Sequence, residues 1–344
     1  MVVSDASDSR LANLTHWVLE DLGMAGASIA PASVDASFRR YFRVTRDSDT
    51  YIVMDAPPEK EDSGPFVKVA RLLGGMNLNV PIILARDMER GYLLLSDLGS
   101  RQYLDALPEE GAADGLYADA LASLRTIQTA DARASQDLPR YDRALLIREM
   151  ELTPDWFLAR HLAINIDARE RTMLDQLFDS LVDAALSQPM VFVHRDYHSR
   201  NLLVTPEHNP GILDFQDAVW GPVTYDLVSL LKDCYITWAA ARVREWALAY
   251  RESLLEAGFA VNATAAQFIR WFDLMGLQRH IKVLGIFARL FYRDGKAQYL
   301  RDLPRVLDYS RETASIYPET QRFAEFIVKR IDPVFKAAQA RVLT

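Results

Sequence analysis

Cysteine is almost absent: Cys234 is the one such residue among 344, so no disulfide can form within the chain and a reducing compartment suits it. It lies in "VSLLKDCYITW", a helical apolar pattern that points to a small buried residue rather than a nucleophile. Long hydrophobic runs are also missing. No stretch approaches the roughly eighteen uncharged apolar residues a membrane span needs, and "MVVSDASDSRLANL" lacks the basic region and apolar segment of a secretory signal. A cytoplasmic location is therefore expected. Positive charge is outnumbered as well. The formal net charge is -8 and no basic block occurs, which argues against a nucleic-acid partner and permits a cationic substrate without requiring one. Repeats and low-complexity tracts do not occur. What is present is ordinary globular composition, 50% hydrophobic and 25% charged, in a chain long enough for two lobes with sizeable cores.

Periodicity divides the chain. Residues 8-22 place Leu11, Leu14, Val18, Leu19 and Leu22 at helical spacing, with Ser7 or Asp8 as N-cap and Gly23 as terminator. "SFRRYFRV" (37-44) and "YIVMDA" (51-56) then read as a β-hairpin about "TRDSDT". A short helix over 64-75 and two strands around "RDMERG" complete a small, mostly antiparallel lobe. Beyond Gly99, helical patterns dominate, over 109-128, 143-161, 168-186, 224-236, 240-257, 264-293 and 316-339. One interruption breaks them. It holds the strand-like "VFV" (191-193), "LLV" (202-204) and "ILDF" (212-215), the last two joined by the turn "TPEHNPG". The fold class expected is α+β, with residues 1-97 a nucleotide-binding sheet lobe and 98-344 a helical lobe.

That interruption carries the polar residues of interest. If "LLV" and "ILD" pair as a hairpin, Asn201 and Asp214 reach the same open end, and Asp196 precedes Asn201 by only five residues. An amide carbonyl and a carboxylate are hard oxygen ligands that suit Mg²⁺, which takes few protein ligands and fills its shell with phosphate and water. A further carboxylate is then left to orient and deprotonate a hydroxyl, the division of labour of phosphoryl transfer.

The string "HRDYHSRN", Asp214 thirteen residues after Asn201, and "WGPVTYDL" together resemble the aminoglycoside phosphotransferase family, relatives of the protein kinases. The resemblance implies a two-lobed protein-kinase-like fold binding ATP and Mg²⁺. It makes Asp196 the base, Asn201 and Asp214 the metal ligands, His194 a loop-stabilising residue, and Asp226 the brace of the catalytic loop. In the sheet lobe the pattern departs from the family. Met54 stands where a phosphate-binding lysine is usual, and no glycine-rich loop is visible, Ser37 being the smallest residue near that turn. Arg39, Arg40, Arg43, Lys60 and Lys68 are the cations that could compensate, although each also fits a solvated surface charge. "LLLSDLG" (93-99) resembles the hinge whose backbone at Asp97 and Leu98 would hold adenine.

Acceptor residues must come from the helical lobe. "WFDLMGLQRHIKVLGIFARLF" is apolar almost all round yet contains Gln278, Arg279 and His280. Buried charge is costly unless paired or facing a wet cavity, so Arg279 and His280, then Gln278, are expected substrate contacts. The alternative is an internal ion pair from Arg279 to Asp226 or Asp233 and a core histidine. Trp156 or Trp220 could underlie a sugar ring, and His198 or Asp217 could bind its hydroxyls; each equally suits a structural role. Within the family, "DWFLARHL", "FQDAVWGPVTYDLVSLLKDCY" and "GLQRHIKVLGIFARL" are similar to the amino-sugar kinases of bacterial cell-wall recycling, which implies an acetylated amino sugar as small-molecule partner and its anomeric hydroxyl as acceptor. An aminoglycoside or choline kinase and a non-catalytic nucleotide-binding module are the rival readings.

Overall fold

The computed structural model describes residues 8–34, 38–131 and 137–343. The chain forms two compact units, residues 1–101 with 203–217, and residues 102–202 with 218–344. A single cut near residue 97 therefore misplaces the short return segment, which belongs with the strands.

In the first unit, Asp8 caps the helix Ser9–His16 by accepting the Leu11 N–H at 3.1 Å, and the helix runs on as a π-wound turn, Trp17–Asp21. Gly23, at φ 67°, then reverses the chain. Five antiparallel strands follow, β1 (Ser28–Val34), β2 (Arg40–Arg46), β3 (Asp49–Asp55), β4 (Ile83–Asp87) and β5 (Tyr92–Ser96), in the order β1-β2-β3-β5-β4. Strand β1 has no counterpart in the sequence reading. Pro31 and small residues weaken its β signal, and it is tolerated because β1 is an edge strand irregular at that point. Leu14, Trp17 and Val18 of the helix pack with Phe42, Val44, Val53, Tyr92 and Leu94 of the sheet. Strand alternation puts Asp55 on the same face as Val53 and Met54 on the opposite one, and all three are fully buried.

The return segment is fastened within this unit. Val204 N–H donates to Arg101 O and Ile212 N–H to Asn79 O, both at 2.8 Å, while Phe215 packs on Phe66 at 4.9 Å between ring centroids. Gly211 has to be small here. A Cβ at that position would stand 3.2 Å from Leu98 Cδ1 and from Thr205 Cγ2.

The second unit is mainly helical. Its central element is the 30-residue helix Ala265–Asp294, capped by Thr264, closed by Gly295 at φ 70°, and buried on nearly every side. Such all-round apolarity marks a core helix, here packed by Thr153–His161, Ala168–Leu186, Tyr225–Leu231 and Leu303–Ala314. A Cβ on Gly285 would meet the Leu152 carbonyl carbon at 2.4 Å, so glycine is what lets the central helix approach that segment. The helical pattern of 143-161 resolves into an α-helix, Arg143–Met150, and a π-wound one, Thr153–His161. Strand Met190–Val193 pairs antiparallel with Val219–Pro222 and delivers the chain to His194. Among the described residues no helix is long and apolar enough to cross a membrane.

Candidate active site

The loop after Val193 is held by one carboxylate. Asp226, fully buried at the start of helix Tyr225–Leu231, accepts the backbone N–H groups of His194 at 2.6 Å and Arg195 at 3.0 Å. Arg195 sits at φ 77°, a left-handed conformation costly for a residue with a Cβ, and these two hydrogen bonds help to offset it. The turn then closes on itself. Asp196 N–H donates to His194 Nδ1 at 3.3 Å, while Asp196 O accepts from His198 N–H at 3.1 Å and Asn201 Nδ2 at 3.0 Å. Because the Asn201 amide donates through Nδ2, the direction of its carbonyl oxygen is fixed. Farther along, Asp233 accepts the Ser199 N–H and O–H at 3.0 and 2.5 Å and the Tyr235 N–H at 3.1 Å.

Charge is concentrated around this loop. Burial alone would raise the Asp196 carboxyl, but Lys282, then His198, Arg279 and Arg195, hold it down at about 2. Burial pushes Asp226 the other way, to about 7, against the pull of the two amides it accepts. Glu149, buried in helix Arg143–Met150, receives the Tyr141 hydroxyl, the Arg195 guanidinium and the Lys282 ammonium, the last at 3.0 Å. Lys282 also donates to the Tyr225 hydroxyl at 2.9 Å. None of Glu149, Lys282 and Arg195 was singled out from the sequence. Burying Glu149 or Lys282 without the other would be costly, but nothing in the local spacing of either helix pairs the two.

The remaining expected contacts in this unit divide. Arg279 is 3% exposed and stands over the Tyr225 ring, 5.7 Å from its centroid. His280 is core rather than a substrate contact: its Nε2 meets Lys232 O at 3.0 Å, its ring stacks on Tyr309 at 4.9 Å, and burial drives its pKa down to about 3. Gln278 is fully buried, and among the described residues no hydrogen bond reaches its amide. His198 is nearly buried, edge-on to Tyr235 at 5.3 Å. Trp156 carries Arg160 over its ring at 5.3 Å, and the Trp220 backbone bonds Pro139 and Tyr141; no hydrogen bond or ring contact among the described residues ties either indole to the loop.

In the strand-rich unit, Arg43 is spent on Asp97, at 2.6 Å, and on Gly99 O at 3.2 Å, so it is a brace of the 96–99 turn rather than a cation waiting for phosphate. Asp97 also accepts the Gly99 N–H at 2.9 Å; burial would raise its carboxyl, but Arg43 chiefly keeps it low. Leu98 is half-buried beside Gly211. Ser37 lies outside the described residues. Arg39 pairs with Glu61 at 3.4 Å, Arg40 with Asp55 and Asp8, and Lys60 stands over Phe38 at 4.7 Å. Asp214 adopts φ 62° and accepts from Gln216 Nε2 at 2.8 Å, and Asp217 is exposed.

A family model described as the phosphotransferase enzyme family matches residues 28–266. The chain belongs to that family. Among curated relatives of this phosphotransferase, the N-acetylmuramate/N-acetylglucosamine kinase of Pseudomonas aeruginosa is 46% identical over 332 residues, covering 94% of this chain and 97% of the relative. The protein of the same name from Neisseria meningitidis is 40% identical, covering 94% and 96%. Solved structures show the same fold at far lower identity. The GDP complex of aminoglycoside 2'-phosphotransferase-IIIa superposes with a TM-score of 0.60 at 18% identity, covering 86% of this chain and 97% of that one, and Plasmodium vivax ethanolamine kinase with 0.63 at 12%, covering 88% and 87%. This phosphotransferase thus has the kinase-like α+β fold, an antiparallel sheet followed by a mainly helical part.

Among the described residues no cluster of three or more His, Cys, Asp or Glu gathers as a metal cage.

Proposed function

We propose that this phosphotransferase moves the γ-phosphoryl group of ATP to the anomeric hydroxyl of N-acetylmuramate and N-acetylglucosamine, in the cytoplasm, as a step of peptidoglycan recycling. The observation that carries the reading is 40–46% identity over nearly the whole chain to proteins of that name. The loop geometry supports a phosphoryl-transfer role. Asp196, held ionised by the cations around it, would accept the hydrogen bond of the sugar hydroxyl, point its oxygen at phosphorus, and take the proton as the new bond forms. An anomeric hydroxyl is more acidic than an ordinary alcohol, so one weakly basic carboxylate suffices. Asn201 and Asp214 would hold Mg²⁺, which supplies charge neutralisation on the phosphates when bound. Asp226 and His194 would set the loop from which Asp196 and Asn201 project, and backbone groups near Asp97 and Leu98 would hold the adenine.

Phosphorus NMR with ATP and, separately, both amino sugars, kanamycin and choline tests the assignment. A sugar 1-phosphate from each amino sugar is expected. Turnover of kanamycin or choline with no sugar phosphate would overturn it. A nucleotide-binding module without turnover is the second reading, favoured by Met54, fully buried where the family's lysine is usual. ADP release stimulated by either sugar excludes that reading.

A further inference from the structure

We infer that Arg279 is the specificity residue of the acceptor site, a buried guanidinium kept without a protein partner so that it can pair with a carboxylate borne by the sugar. The inference rests on the proposed amino-sugar kinase activity and deepens it. Arg279 is 3% exposed, and among the described residues it makes no ion pair and no hydrogen bond, its Nε being buried and unmet. Unpaired buried charge is expensive, and a fold does not retain one without return.

Asp196 and Arg279 feel each other's charge with no ion pair or hydrogen bond between them, and the other acids nearby are engaged elsewhere. Both oxygens of Asp226 serve the amides of His194 and Arg195. Asp233 is taken by Ser199 and Tyr235, and Glu149 by Tyr141, Arg195 and Lys282. Three residues along the same helix, Lys282 has its carboxylate; Arg279 does not. Tyr225 beneath the guanidinium offers its ring face, which attracts a cation without consuming an N–H donor. The charge of Arg279 is felt at Asp196 and at His198, whose Nδ1 is likewise buried and unmet. So the free donors lie in the neighbourhood of the loop that presents the acceptor's base. A planar guanidinium with unused donors matches a carboxylate in two parallel bonds. N-acetylmuramate carries such a group on its lactyl ether and N-acetylglucosamine does not, so Arg279 would act on one acceptor and not on the other.

The test uses the full chain and its Arg279→Met and Arg279→Lys variants, with kcat/KM measured for both sugars. In Arg279→Met the ratio of N-acetylmuramate to N-acetylglucosamine efficiency should fall by about 10- to 150-fold, the worth of a charged hydrogen bond, and Arg279→Lys should recover part of it. A ratio changed less than about threefold, the scale of an ordinary surface contact, would overturn the inference. Thermal unfolding supplies the readout that a structural role would reverse. Arg279→Met should melt no lower than wild type, since it removes an unpaired charge at similar volume; a clear drop in Tm would show that the arginine is a partnered core residue. Should wild type phosphorylate neither sugar, the functional reading fails on its own. N-acetylmuramate should then still raise the wild-type Tm more than that of Arg279→Met, and equal shifts would overturn the carboxylate assignment too.

Discussion

Asp55 in one unit of the molecule and Asp226 in the other are both completely buried, and the two are satisfied in opposite ways. In the strand-rich unit, Asp55 at the end of β3 receives Arg10 from the first helix and Arg40 from β2, each through Nε at 2.9 Å. In the helical unit, Asp226 receives no side chain; it holds two consecutive backbone amides. Side-chain cations are long and adjustable, so Asp55 fastens elements together. Amides are fixed to the chain, so Asp226 dictates the path of a loop, including the left-handed turn at Arg195 that precedes Asp196. The first arrangement builds a scaffold and the second sets the loop that carries the proposed base, Asp196.

The largest effect should come from the group the second arrangement presents. Asp196→Asn keeps the shape and removes the proposed base, so kcat should fall by about 10²–10⁴ with little change in Tm. Turnover within tenfold of wild type would take Asp196 out of that role. Next come the two buried aspartates themselves. Asp55→Ala leaves two guanidiniums without their carboxylate and should cost about 3 kcal/mol in urea unfolding, the low end for a broken buried pair because Arg10 and Arg40 keep side-chain exposures of 28% and 37%. Asp226→Ala strands two amides, at about 1–3 kcal/mol each, and should in addition reduce the kcat of the protein that remains folded. Equal losses of kcat in the two variants would break the comparison.

How much of this was legible in the sequence follows the same divide. Groups fixed by local spacing were readable: the helix capped at Asp8, the β2–β3 hairpin, the helix Gly64–Gly75, and a loop with His194, Asp196 and Asn201 between two apolar strands. Both strands of the hairpin run two residues further into the turn than the aromatic pattern proposed, to Arg46 and from Asp49, because the chain turns tightly at Asp47, in a left-handed conformation, and the polar residues on either side extend the ladder. What could not be read was which charges meet across the fold. Arg43 was a phosphate candidate until its carboxylate proved to lie 54 residues away at Asp97. Glu149 and Lys282 were missed for the same reason, their attraction being a long-range match between two helices that each carry several charges. Arg279 and His280 are neighbours in sequence and alike in burial; His280 has one ring nitrogen on the Lys232 carbonyl and its Nδ1 unmet, whereas Arg279 makes no hydrogen bond among the described residues.

A smaller perturbation separates packing from charge. Gly285→Ala would drive a methyl against the Leu152 backbone, and overpacking of this kind costs about 1–3 kcal/mol. Its effect should fall on stability, leaving the N-acetylmuramate to N-acetylglucosamine ratio as it is in wild type. A shifted ratio would mean that the spacing between the central helix and residues 152–153 also shapes the acceptor site.

The mildest probe is acid, which addresses the buried groups of the helical unit. Burial drives His280 down to about 3, outweighing the Lys232 carbonyl that would raise it, and drives His161 down to about 4. Both rings are neutral in the folded protein, whereas in the unfolded chain they take up a proton near the ordinary histidine value of about 6.5. Their contribution to stability is therefore complete above that value and declines as pH falls below it, by up to about 1.4 kcal/mol per pH unit for each ring until the folded pKa is reached. Asp226 has the reverse sign: with its folded pKa raised to about 7, its contribution is greatest below the ordinary carboxylate range and is lost as pH rises through 7. The two slopes oppose each other between roughly pH 4 and 6.5, and two histidines outweigh one aspartate. Urea midpoints should thus fall as pH is lowered through that interval, and His280→Phe, which retains a ring to stack on Tyr309 and cannot be protonated, should flatten the decline. An unchanged slope in that variant would mean that His280 is protonated in the folded state and that its contact with the Lys232 carbonyl, rather than burial, sets its charge.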